Sequence, residues 1–329
     1  MTTVCIESVR DATPDEWDAA WRSCSYSTYF HSREWAEVWA DYTDRHIRPA
    51  GMKVTFSDGA SAVLPLSVSL ACGGALRRYL SSPAGTYGGW ISEDNLERAH
   101  ASLLADYMRR RCPNLVWRLN PYDPLIAQIG VGTVREDNTH AFNLSNGFNA
   151  VFSHWSHGHQ SSTRKAVRER VVFQEAGTQE EWRAYYEIYQ DCLRRWGTTA
   201  SSRYEWPFFE AIRCRNSTAT KLWLARREGA VIAGALCFYA PKHLAYWHGA
   251  VLENCLPLGV AVFLVYETLK RACAADLSWY DFNPSGGHEG VQEFKRRFSP
   301  LVLSSPVIEL QTRSYGVVSR CASAVKAIR

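Results

Sequence analysis

The chain has 329 residues, 46% of them apolar and 21% charged, with a formal net charge of +4. Its length is too great for one ordinary core, and its composition excludes a disordered or fibrous chain. The mild positive charge permits an anionic partner without requiring one, and no apolar run approaches the ~18 residues that span a bilayer.

The hydrophobic pattern predicts a strand over 4–9, after a start that lacks the basic and apolar regions of a signal peptide. Pro14-Asp15-Glu16 opens a helix to residue 24, with acids in its first turn where the helix dipole favours them. A second helix over 32–42 carries Trp35, Val38 and Trp39. Residues 52–56, the turn Ser57-Asp58-Gly59 and residues 62–70 form a hairpin. Residues 78–90 are extended but interrupted by Pro83, Gly85, Gly88 and Gly89; a helix over 95–111 and a strand over 115–119 follow.

The second half repeats this order. A strand over 171–175 precedes Thr178, which caps a helix over 179–196 with Glu181 in the capping-box position. A helix over 206–213 is followed by a hairpin, 222–226 and 231–239, turning at Glu228-Gly229. A strand over 243–250, a helix over 258–273 and a strand over 277–282 complete the copy. The chain then breaks at Asn283, Pro284, Ser285, Gly286 and Gly287, residues that turn a chain rather than extend it. A short helix resumes with Val291, Phe294 and Phe298 on one face and Lys295 beside it. A strand over 307–311 and a helix over 317–328 end the chain.

The order strand, helix, helix, hairpin, strand, helix, strand thus occurs twice, with turns 170 residues apart, which implies two copies of one α/β domain. The copies are expected over 1–147 and 148–305, with 306–329 returning to the first. Between them lie His154, His157 and His159, then Arg164, Lys165, Arg168 and Arg170. No acid or cysteine joins the histidines, so no metal site is expected; the basic run fits a solvated helix face or a phosphate contact. Ten cysteines occur singly with no Cys-x-x-Cys pair, which argues against a zinc ribbon or disulfide framework and favours a reducing cytoplasm.

Asp281-Phe282, a Ser/Gly loop, Gly290 and Phe294-Lys295-x-x-Phe298 together resemble the C-terminal signature of the Fem-like branch of the GNAT acyltransferase superfamily, which includes the peptidoglycan-bridge aminoacyltransferases. Asn283 and Ser299 stand where that signature carries glycines. The resemblance implies an α/β fold of two tandem GNAT-like domains, each a mixed twisted sheet flanked by helices. It implies amide formation, with an aminoacyl group passing from aminoacyl-tRNA to an amine on a peptide or small metabolite. In that family the lysine matching Lys295 stabilises the intermediate, and the main chain of Phe294 lies near the donor ester. Asp281, Tyr246 and His248 remain alternative general bases, with Tyr246 and Ser285 also expected at the substrate.

The family's Gln-x-x-x-Trp-x-x-x-Lys stretch is matched at Trp35, while Trp39 replaces its lysine. Trp39 is therefore expected to bound a pocket for a small amine rather than a nucleotide diphosphate. Leu258, Gly259, Val260 and Ala261 keep half of an acyl-CoA pyrophosphate loop, so phosphate binding would rest on helix N–H groups, with Arg164, Lys165 and Arg168 available to a tRNA backbone. The alternatives are an acyl-CoA-dependent N-acyltransferase and a non-catalytic RNA- or peptide-binding protein. No tightly bound cofactor and no metal are expected, and a monomer is expected.

Overall fold

A computed structural model describes residues 3–71, 76–129, 135–197, 203–286, 289–312 and 315. The expected helix over 317–328 and loop positions 287 and 288 lie outside the described residues. The chain divides into two compact units, Met1–Asp137 with Ser304–Arg329, and Asn138–Leu303.

The first unit runs β1 (Ile6–Asp11), α1 (Pro14–Ser23), α2 (Arg33–Tyr42), β2 (Ile47–Pro49), β3 (Met52–Phe56), β4 (Ser61–Leu64), β5 (Ser67–Ala71), β6 (Leu76–Leu80), β7 (Tyr87–Gly88), α3 (Arg98–Arg111) and β8 (Val116–Leu119). Thr13 and Glu16 close a capping box at the start of α1, and Ser32 caps α2. The strand expected over 62–70 is two strands in different sheets. β4 joins β1 and β3, while β5 lies between β2 and β6. Pro65 separates them; it has no N–H to continue a ladder. Leu104, Ala105 and Met108 of α3 pack with Trp90 and Trp117 in the core.

The second unit contains β9 (Asn138–Asn143), α4 (Gly147–Ser153), α5 (His157–Arg168), β10 (Val172–Glu175), α6 (Gln179–Trp196), α7 (Trp206–Cys214), β11 (Thr220–Arg227), β12 (Ala230–Ala240), β13 (His243–Val251), α8 (Val260–Ala274), β14 (Trp279–Asp281), α9 (Glu289–Arg296) and β15 (Leu301–Ser304). Its sheet has the order β10-β11-β12-β13-β14-β9-β15. The boundary therefore falls after 137 rather than after 147, because β9 pairs antiparallel with β14. The tail strand β16 (Val307–Glu309) pairs antiparallel with β8 in the first unit.

The helix α6 shows how local signals set this unit. Thr178 and Glu181 form the reciprocal capping box, and Gly197 ends the helix at φ +51°. Trp182, Tyr185, Ile188, Tyr189, Cys192 and Leu193 form its buried stripe. The apolar α8 contributes Val260, Phe263, Leu264, Val265 and Leu269 to a core shared with Ala233, Ala235 and Cys237 of β12. The eight described cysteines are all unpaired thiols.

Candidate active site

The site begins where two parallel strands part. β13 and β14 pair at His243–Trp279, Leu244–Tyr280 and Ala245–Asp281. Beyond that point β13 continues along β12 to Val251, with a register shift between Leu236 and Cys237 that sets Trp247 outside the regular pairing. The other chain turns away at Asn283, which adopts φ +59°, and Pro284 follows it. A cleft of about 650 Å³ opens there, lined on one side by Tyr246, Trp247, His248 and Gly249, and on the other by residues 282–286 and α9.

Lys295 is a buried end of the second wall, only 5% exposed, and its Nζ donates to the main-chain oxygen of Asn283 at 2.6 Å. Aromatic packing fixes its helix. Phe294 meets Phe298 edge to face at 5.0 Å, and Phe298 stacks on Phe282 and abuts Trp155. His159 of α5 meets the main-chain oxygen of Phe294 at 3.2 Å through Nε2. A lysine ammonium held this way is a positive charge placed before any substrate arrives.

Asp281 does not line the cleft, so the geometry gives it a different task from the general base considered above. It is fully buried, and its Oδ1 accepts from Thr139 Oγ1 and from the Asn283 N–H, both at 2.7 Å. The carboxylate thus holds the turn that carries the acceptor carbonyl of Lys295. His140 of β9 lies close to this group. Burial, then the charges of Lys295 and Arg296, holds its pKa below the ordinary value.

His248 lines the cleft and is the central member of the first wall. Burial lowers its pKa to about 4, so the imidazole is neutral at neutral pH. Its Nδ1 is hydrogen-bonded to Tyr185 Oη, and Tyr189 meets the ring edge to face at 4.5 Å. Tyr246 also lines the cleft, but burial above all, then Cys237, raises its phenol pKa. A tyrosine held protonated is a hydrogen-bond donor rather than a base. Ser285 lines the opposite wall, and its buried Oγ has no hydrogen-bond partner among the described residues.

The remaining expected residues fall elsewhere. Trp35 is fully buried in the first unit, with its Nε1 3.2 Å from Thr86 Oγ1. Trp39 packs edge to face on Trp35 at 5.8 Å and on Tyr42 at 5.6 Å. Trp35 therefore has no surface to offer an acceptor, whereas Trp39 is half-buried. Gly259 caps α8 at φ +74°, and a Cβ there would stand 2.8 Å from Ser162 of α5. Val260 is fully buried, and of the four expected cradle residues only Ala261 reaches the cleft. Arg164 and Arg168 are exposed and Lys165 half-buried on α5, outside the cleft lining. Tyr189, Tyr204, Trp196 and Trp247 are cleft residues that the sequence did not single out. Their spacing reads as core, and only the parting of the strands shows which edges face the opening. No cluster of His, Cys, Asp or Glu suited to a metal ion occurs among the described residues.

Residues 159–296 match a family model described as an acetyltransferase (GNAT) domain. The second unit carries a GNAT acyltransferase domain. The whole chain superposes on a crystal structure of FemX with a TM-score of 0.72 at 13% identity, covering 94% of this chain and 99% of that one. A conserved protein of unknown function from Bacteroides thetaiotaomicron VPI-5482 is similar at a TM-score of 0.58 and 12% identity, over 92% of this chain and 99% of that one. L-PGS from Bacillus licheniformis is similar at 0.56 and 9%, over 94% and 95%. At such identities the likeness is one of fold. No curated protein sequence matches the chain. The protein is an acyltransferase of mixed α/β fold, and its cleft lies inside the GNAT match. No described helix is long and apolar enough to cross a membrane.

Proposed function

We propose that the protein forms an amide by transferring an aminoacyl group from aminoacyl-tRNA to a primary amine in the cleft of the second unit. The observation that carries the reading is the placement of Lys295 and His248 on opposite walls where β13 and β14 part. The amine nitrogen attacks the ester carbonyl carbon, forming the C–N bond while the carbonyl π pair moves to oxygen. The charge of Lys295 stabilises that oxyanion. His248 Nε2 takes a proton from the attacking nitrogen and returns it to the ribose oxygen as the C–O bond breaks. The products are the amide and a tRNA with its free hydroxyl.

The placement of the charges supports this donor. Lys295 and Glu289 are the charged residues among those lining the cleft. Tyr189, Tyr204, Trp196, Tyr246 and Trp247 make the first wall and its flank aromatic. Such a cleft suits an apolar or flat amine and an acyl group, with phosphates held outside it. Exposed Arg164 and Arg168, with half-buried Lys165, offer basic groups on α5 for a nucleic-acid backbone. One observation favours an acyl-CoA donor instead: Ala261, in the first turn of α8, reaches the cleft, and a helix N-terminus binds phosphate.

A transfer assay in cell extract supplied with labelled amino acids and the purified protein separates the two. Amide product that depends on the protein and is abolished by ribonuclease is the expected result. Product that survives ribonuclease and is driven by added acetyl-CoA contradicts the tRNA donor and leaves an acyl-CoA enzyme.

A further inference from the structure

We infer that Tyr185 is a positioning residue that fixes His248 in its Nδ1–H tautomer and so presents a bare Nε2 lone pair to the cleft. The Tyr185 hydroxyl lies within reach of two His248 atoms. Tyr185 Oη is hydrogen-bonded to His248 Nδ1 and also lies 3.2 Å from the main-chain oxygen of His248. A phenol has one proton to give. If it went to Nδ1, the phenol and carbonyl oxygens would face each other as two acceptors with no proton between them. If it goes to the carbonyl, Nδ1–H donates to Oη and all three groups are satisfied. A neutral imidazole carries one N–H, so Nε2 is then unprotonated.

Both partners are uncharged at neutral pH. Burial lowers the imidazole pKa, and burial foremost, then the nearby Tyr246, Cys192, Tyr189 and Cys237, raises the phenol's. The titratable groups around His248 are Tyr185 and Tyr189 of α6, Tyr204 before α7, Tyr246 of its own strand, and Glu289 and Lys295 of α9 in the same cleft. The phenol is itself held. Tyr185 is fully buried against β12, where a Cβ on Gly234 would stand 2.5 Å from its ring. Glycine at that position lets the ring lie against the sheet with its hydroxyl directed at one imidazole edge.

The consequence is chemical. Free imidazole favours the Nε2–H tautomer, which would turn a donor toward the cleft and leave His248 unable to accept a proton there. Tyr185 reverses that preference. Its value as a support for a general base rests on the acyl-transfer reading; the tautomer itself does not.

The test uses the full chain labelled with ¹⁵N-histidine at pH 7, with His248 assigned by the signal that disappears in His248→Gln. The expected spectrum shows the pyridine-like nitrogen of His248 at Nε2 and the N–H nitrogen at Nδ1. In Tyr185→Phe, a nearly isosteric change, the ratio of the Nδ1–H to the Nε2–H tautomer is expected to fall about fivefold, the scale of one hydrogen bond removed. An N–H at Nε2 in the unaltered protein overturns the inference, as does a tautomer unchanged in Tyr185→Phe. Because the spectrum needs no substrate, a bare Nε2 supports the inference even if no transfer is found, and that second result counts against the acyl-transfer reading alone.

Discussion

Parallel strands part in both units, and the two openings end differently. In the second unit β13 and β14 separate after Ala245 and Asp281, and the space between them remains the cleft. In the first unit β6 and β8 pair in parallel at Leu80–Val116 and then part, but β7 enters beside β8, pairing Tyr87 with Arg118 and Gly88 with Leu119. The turn over Pro83–Gly85 brings it there. Trp117 Nε1 donates to the Gly88 oxygen at 3.0 Å, and Arg118 Nε to the Gly85 oxygen at 2.6 Å. At this gap in the first unit Trp117 and Arg118 therefore bond to the backbone of the inserted turn and of β7. In the second, Lys295, His248 and Ser285 line an opening. The gap that β7 fills in the first unit thus remains the cleft in the second.

The contrast breaks first at Gly88. A Cβ there would stand 2.4 Å from the main-chain oxygen of Ser81, so β7 can lie in the gap only as glycine. Gly88→Ala is expected to cost about 3 kcal/mol, the upper end of the overpacking range, because the clash is with backbone. Denaturant unfolding measures it, and an unchanged midpoint would mean that β7 does not depend on this close approach.

Buried titrating groups sharpen the contrast, since they act in opposite senses. Burial raises Asp123 of the first unit to about 6, although its Oδ1 accepts from the Leu125 N–H at 2.9 Å. Its folded pKa lies above the unfolded value. Its contribution is therefore present in acid and lost as pH rises through about 6. His248, lowered to about 4, contributes above the unfolded histidine pKa and loses that contribution as pH falls through about 4. Asp123→Asn is expected to gain on the order of 2 kcal/mol relative to the parent at pH 8, with no such gain at pH 4. Unfolding curves at the two pH values check this.

The smallest structural effect is expected from reversing Arg164, Lys165 and Arg168 to Glu on the outer face of α5. The melting temperature should hold within a degree or two, since these side chains lie outside the core. The salt slope for tRNA binding should fall by roughly 0.7 for each phosphate that is no longer neutralised. An unchanged slope would remove this helix from the donor path.

Much of this arrangement was legible because its signals are local. Thr178 and Glu181 marked the start of α6, and Glu228 and Gly229, at φ +53° and +82°, marked the turn between β11 and β12. Lys295 stands out through the resemblance of 281–298 to the Fem-like signature, since its spacing from Phe294 and Phe298 alone reads as a surface lysine on an amphipathic helix. β9 was missed because Asn138–Asn143 lacks a clear alternation and its partner, β14, lies far along the chain. Tyr185 could not be distinguished from the other residues of the α6 stripe, since nothing in a helical period shows that one hydroxyl meets an imidazole. Trp35 misled for the converse reason: resemblance suggested a substrate contact, whereas its fully buried ring makes it core.

The most direct test of amide formation in the second unit's cleft is single-turnover transfer by Lys295→Ala, with circular dichroism and melting to confirm the fold. The donor is aminoacyl-tRNA and the acceptor is the amine found in the extract assay. Turnover is expected to fall by about 10²–10³, the scale of removing an oxyanion stabiliser, with poor rescue by Lys295→Arg. A folded Lys295→Ala protein that transfers at the parent rate would contradict the account.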